Sequence, residues 1–151
     1  MLCYVLFCLT AGIEGGVHQP IIGFNDLHPG VAFCIHAETA TRPADLQAEL
    51  LAVFHEGLNR GYSVALYGIR FGITKNRWLI APDIRLGIDY LARELDPGRE
   101  SGLAFGYAAG IRFAIRRELL MIYPALFYEG VTDFKTHAGF LGIRLGVAHE
   151  I

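Results

Sequence analysis

The sequence predicts an all-β protein, an eight-stranded antiparallel up-and-down transmembrane β-barrel. Three observations carry that expectation. From Gly16 onward, bulky apolar residues alternate with glycine, alanine and isolated charges in one segment after another. The chain is 53% hydrophobic and only 19% charged, with a mean hydropathy of +0.37, which is high for a small soluble domain and excludes a disordered one. No segment is long enough for a spanning helix. The longest stretch without Asp, Glu, Lys or Arg is residues 1–13, and 101–111 and 119–128 are shorter, against the roughly 20 residues required. A non-helical backbone in lipid has to close on itself as a barrel.

The 151 residues make one domain. Thirteen Lys and Arg against fifteen Asp and Glu leave a net charge of -2. With no basic block, a nucleic-acid partner is excluded. Three cysteines, two of them within the first eight residues, give neither a disulfide framework nor a zinc spacing. No metal and no cofactor is expected.

Taken in order, residues 1–15 do not alternate. They have the length of a signal-peptide apolar region and end in the small residues Thr10, Ala11 and Gly12. They read as a signal-peptide remnant or N-terminal extension, with a first buried strand as the alternative. Cys3 and Cys8 would leave with a cleaved signal, and Cys34 is a small apolar filler. Residues 16–151 form the barrel domain, with strands expected at 16–25, 30–41, 44–56, 61–74, 78–94, 101–116, 119–131 and 138–150. The 61–74 segment sets Ala65, Tyr67, Ile69, Phe71 and Ile73 against Leu66, Gly68, Arg70, Gly72 and Thr74. The 101–116 segment sets Leu103, Phe105, Tyr107, Ile111 and Phe113 against Ala104, Gly106, Ala108, Gly110 and Arg112.

The facing of the two sides decides the class. A water-facing side should be rich in Lys, Glu, Ser and Thr, yet the non-bulky side is mostly Gly and Ala with a few Arg and Asp. Small side chains and pairable charges suit a narrow lumen, and the bulky side then meets lipid. Connections agree: 41–45, 74–77 and 116–118 read as tight inner turns, and 25–30, 56–61, 95–100 and 131–137 as longer outer loops. Trp78 and Tyr90 share a face about 30 Å apart along a tilted strand. With Tyr128 they are expected as interfacial aromatics.

The segments LQAELLAVFHEG (46–57), YSVALYGIRFGI (62–73), APDIRLGIDYL (81–91), GLAFGYAAGIRF (102–113), IYPALFYEGVTDF (122–134) and FLGIRLG (140–146) resemble the outer-membrane-protein β-barrel domain of porin-family proteins. Its small eight-stranded relatives include OmpA and OmpX. The resemblance implies a Gram-negative outer membrane, export through a cleaved signal peptide and insertion by the barrel assembly machinery. It supplies no catalytic set. The chain departs from the family in its incomplete N-terminal signal and in ending on Ile151 instead of an aromatic residue.

Strand parity puts Glu38, Glu49, Asp83, Asp89 and Glu129 in the lumen with Arg70, Arg85, Arg112 and Arg144, and Arg116 at the inner rim. Arginine suits the role because its planar fork binds carboxylates in a bidentate way and stays charged. With eight strands the interior is filled by side chains, so a salt-bridged plug is expected, with a narrow channel as the alternative. An enzyme is not expected, although a lipid-modifying one remains the other alternative. His36 and Glu38 share the lumen face and His55 lies beside Glu56, but neither histidine has a serine at a suggestive spacing. A soluble lipocalin-like barrel would need the bulky face inside, which the Gly/Ala-rich charged face opposes. The sequence therefore reads as a monomeric outer-membrane barrel, with membrane lipid as its partner and a structural or surface-interaction role.

Overall fold

In the computed structural model, which describes residues 9–41, 44–59, 61–75, 78–95 and 98–151, the chain is a closed antiparallel barrel. Nine strands form it: β1 (Leu9–Ile22), β2 (Gly30–Thr39), β3 (Asp45–Glu56), β4 (Tyr62–Thr74), β5 (Ile80–Leu95), β6 (Gly98–Phe113), β7 (Ile115–Arg117), β8 (Leu120–Thr132) and β9 (His137–Glu150). Strands β1 to β6 pair in sequence order, β8 pairs with β9, and β9 closes on β1. Both β6 and β7 pair with β8 in one continuous register, Arg112 opposite Ala125 and Ile115 opposite Ile122. The two are therefore one stave interrupted at Ala114, and the barrel has eight staves, as the sequence predicts. Closure pairs every stave on both sides in the barrel wall, and beyond it Gly98–Ala104 of β6 pair with β5 alone.

Burial alternates along the strands: β2 and β3 read buried–exposed almost without a break. The exposed residues are the bulky apolar ones. Ile13, Phe33, Ile35, Ile69, Phe71, Ile88 and Ile143 are each between 56% and 64% exposed. Charged Arg70, Arg85, Arg112, Asp83 and Asp89 are essentially inaccessible. The polarity of an ordinary soluble domain is thus inverted.

Three expectations need correction. The domain boundary between residues 15 and 16 falls inside β1, because the alternation of Gly12, Glu14, Gly16 and His18 against Ala11, Ile13, Gly15 and Val17 continues back to Leu9. Residues 9–15 are therefore barrel wall, and a signal-remnant reading of residues 1–8 lies outside the described residues. Trp78 precedes β5 and sits in the β4–β5 connection, where its N–H donates to the Lys75 carbonyl at 3.0 Å. The loop expected at 95–100 is absorbed into β5 and β6, whose register runs to Leu95 opposite Gly98. Connection lengths consequently differ less between the two ends than the sequence suggests.

Local chemistry shapes the ends. Pro20 lacks a donor N–H, and the β1–β9 register shifts between Pro20 and Ile22. Gly23 opens the following connection at φ +82°, a conformation favourable only to glycine. The two-residue β7–β8 turn holds Glu118 at φ +56°. Replacing Glu118 by Gly removes that steric penalty, and the expected result is a stability gain of about 0.5–1 kcal/mol, read from urea unfolding midpoints.

A buried ion-pair network and the two rims of the barrel

The lumen is layered. Toward the far end, opposite Leu9 and Glu150, it is apolar: Val53, Tyr62, Val64, Leu66, Val131 and Phe140 pack with Phe24 and Leu27. The last two fold in from the β1–β2 connection, held by His28 N–H to Glu56 O (2.8 Å), Leu58 N–H to Asp26 O (2.8 Å) and a Leu27–Gly57 bridge. This apolar seal was not expected from a face read as glycine, alanine and charge.

Below the seal lies the charge network. Arg70 binds Asp89 through both arms, Nε to Oδ1 at 3.1 Å and Nη2 to Oδ2 at 2.6 Å, and reaches Glu129 at 2.7 Å. Glu129 also contacts Arg144 and His18, the latter at 3.1 Å. Arg85 grips Asp83 at 2.8 and 3.0 Å, meets Glu14 at 3.1 Å and contacts Glu49. Arg112 contacts Glu38, reaches Asp83 at 2.6 Å and donates to Gln47 at 2.6 Å. Arg144 bridges Glu14 and Glu49 at 3.1 and 3.3 Å. The nine charged residues expected at the lumen are all buried, and with Glu14 of β1 added every stave contributes a member of the network.

Two rings close over the cations. The Arg85 and Arg144 guanidiniums lie 4.6 and 5.2 Å from the Phe127 centroid, and Arg112 lies 4.9 Å from Tyr123. The Tyr123 hydroxyl donates to Glu14 at 3.0 Å and meets His36. With Glu14 counted, six carboxylates face four arginines here; His18 lies 3.1 Å from Glu129, and His36 lies 3.6 Å from Glu14 and 3.7 Å from Glu38.

Glu14, Gln47 and Tyr123 were not singled out from sequence. Glu14 was hidden by reading residues 1–15 as a leader, and parity counted back from His18 would have found it. Glu14, Cys34 and His36 bring ligand-type atoms within 4.8 Å of one another. However, three guanidiniums already contact the Glu14 carboxylate, and that positive crowding disfavours a cation.

Glycines make room for these groups. Asp89 lies between Gly68 of β4 and Gly106 of β6, where an added Cβ would stand 2.2 and 2.1 Å from its oxygens. Gly106→Ala is therefore expected to displace Asp89 from Arg70 and cost about 3–5 kcal/mol, as for a broken buried pair. A urea midpoint unmoved by this variant would contradict the packing.

The chain has two serines, Ser63 and Ser101. Both lie on the outward parity of their strands, across the wall from the buried His18, His36 and His55. Strand parity thus keeps hydroxyl and imidazole apart.

On the outer surface, Trp78 is 58% and Tyr90 38% exposed, while Tyr128 is half-buried. Tyr107 and Tyr128 lie against Gly130 and Gly139 and converge on His137 Nε2 at 3.3 and 3.1 Å. Tyr90 pairs with Tyr67, which meets Phe54 edge-on at 5.7 Å. Phe54, Tyr67 and Tyr107 thus join the expected aromatics toward the far end. At the far mouth a cleft of about 540 Å³ is lined by Phe24, Arg93, Thr132, Asp133, Thr136 and His137. Arg93 lies over the Phe24 and Tyr62 rings at 5.2 and 5.9 Å. Backbone N–H groups of Thr136 and Lys135 hold the Asp133 carboxyl below the usual carboxylate range.

No protein-family model matches the chain, and no curated protein matches it in sequence. Solved structures do match in shape. Neisserial surface protein A superposes with a TM-score of 0.61 at 13% identity, covering 96% of this chain and 97% of that one. Ail, the attachment invasion locus protein of Yersinia pestis, gives 0.62 at 11% identity over 96% and 97%. The N-terminal β-barrel domain of Pseudomonas aeruginosa OprF gives 0.54 at 12% identity over 94% and 97%. With closure, register and inverted polarity already established, the chain has the fold of the small eight-stranded outer-membrane β-barrels.

Proposed function

We propose that the chain is a monomeric protein of the Gram-negative outer membrane. In this reading it spans the bilayer as a closed body, without catalytic activity, and contacts partners through its far rim. The observation that carries the reading is the inverted exposure: a continuous apolar exterior around a buried ion-pair network. In water that exterior would be a very large aggregation-prone patch, whereas in lipid it costs nothing. Insertion by the barrel assembly machinery belongs to the same reading. The names of two similar barrels, a surface protein and an attachment invasion locus protein, favour a surface-interaction role for the far connections. Those connections are short, so contacts would be made by the rim itself.

The filled lumen supports a plug over a channel. The apolar seal and the Arg70, Arg85, Arg112 and Arg144 network together occupy the cross-section. Purified protein in planar bilayers is expected to give no stepwise conductance. Reproducible unitary steps from heat-sensitive, folded protein would overturn the plug and favour the channel.

A further inference from the structure

The two rims differ in charge. Among the described residues at the far end, Asp26, Glu56, Glu94, Glu100 and Asp133 outnumber Arg93, Arg99 and Lys135. At the near end, which carries Leu9 and Glu150, the surface balance reverses: Lys75, Arg116 and Arg117 stand against Glu118 and Glu150. Glu38 and Asp45 also lie at this end, but both are buried.

These cations adjoin outward apolar groups. Lys75 Nζ lies 6.0 Å from the Trp78 ring centroid, next to exposed Leu79 and Ile80. Arg117 is the strand partner of exposed Leu120 and lies two residues after exposed Ile115 on the same face. A long basic side chain in this position lays its stem on apolar surface and lifts its head to the phosphate level. Tryptophan prefers the same depth.

We propose that the near rim is a collar for acidic phospholipid headgroups, enriching anionic lipid around the barrel in the leaflet at that end. The inference rests on the membrane reading above. Charge complementarity selects the occupant: a cationic rim attracts anionic headgroups, and the carboxylate-rich far rim does not. Each cation held near an anionic surface is worth about a fivefold enrichment.

Trp78 is the only tryptophan in the chain, so its fluorescence reports on this rim alone. The full chain is reconstituted in phosphatidylcholine vesicles carrying equal trace amounts of either pyrene-labelled phosphatidylcholine or pyrene-labelled phosphatidylglycerol. Energy transfer from Trp78 is expected to be several-fold stronger to the phosphatidylglycerol probe and to weaken as salt is raised. The excess should vanish in Lys75→Gln with Arg117→Gln and persist in Lys75→Arg with Arg117→Lys. Equal transfer to both probes in the unmodified chain, at low and high salt alike, would overturn the collar. Protease protection and gel mobility in the same vesicles report insertion separately. Protein that does not insert would overturn the membrane reading and the collar with it.

Discussion

Replacing Arg85 and Arg112 together by methionine is expected to lower the stability of the folded barrel by about 5 kcal/mol or more. Arg85 and Arg112 share Asp83, and between them they also hold Glu14, Glu38 and Glu49. Methionine keeps much of the side-chain volume and the contact with Phe127 and Tyr123. The loss therefore comes from carboxylates left buried without partners and not from a cavity. Removing the stranded acids as well, with Asp83→Asn and Glu38→Gln, should recover a large part of the loss, because an uncharged pair no longer carries the penalty. Urea unfolding of folded protein in detergent micelles measures both. An unchanged midpoint in the double arginine variant would contradict the lumen assignment.

The second large effect is on the outside. Ile69 is 56% exposed at the middle of β4, between Leu50 of β3 and Ile88 of β5. Ile69→Arg is expected to cost about 2–4 kcal/mol in a bilayer, where a cation at mid-depth meets hydrocarbon. The same change at Ser63, outward on the same strand but at its far end, should cost about 0–1 kcal/mol. The depth difference is the diagnostic feature. If the exterior faced water instead, both changes would stay within about 0.5 kcal/mol. Unfolding from lipid vesicles distinguishes the two.

Parity made most of the site legible in the sequence. Once the Gly/Ala side was taken as the lumen, Asp83, Arg85, Asp89, Arg112 and Arg144 fell into it without further information, since a strand can direct a side chain only to one face or the other. Pairing was not legible. Which carboxylate meets which guanidinium depends on stagger between strands, so the meeting of Arg70 with Glu129, 59 residues apart, needed coordinates. Glu14 was lost because an apolar run of 13 residues at the N-terminus fits a leader and a lipid-facing strand equally well. The apolar seal was missed for another reason. Val53, Val64, Leu66 and Phe140 share parity with the charges but are bulky; Phe24, expected within the strand 16–25, lies instead in the β1–β2 connection with Leu27, and the strand pattern does not show that a connection folds into the lumen. The extension of β5 to Leu95 and of β6 back to Gly98 was hidden because Asp-Pro-Gly is a turn signal that fixes where a chain reverses but not how far its strands extend.

The central claim is that the bulky faces meet lipid and the charges line a closed lumen. Its most direct test is gel mobility of the refolded chain with and without boiling, followed by removal of detergent. A closed, hydrogen-bonded barrel in this account resists SDS unheated, migrates differently after boiling, shows a β-type circular dichroism spectrum and precipitates or partitions into vesicles when detergent is withdrawn. A chain that shows no mobility shift and stays folded and fully soluble in buffer would contradict the facing assignment and turn the bulky side into a core.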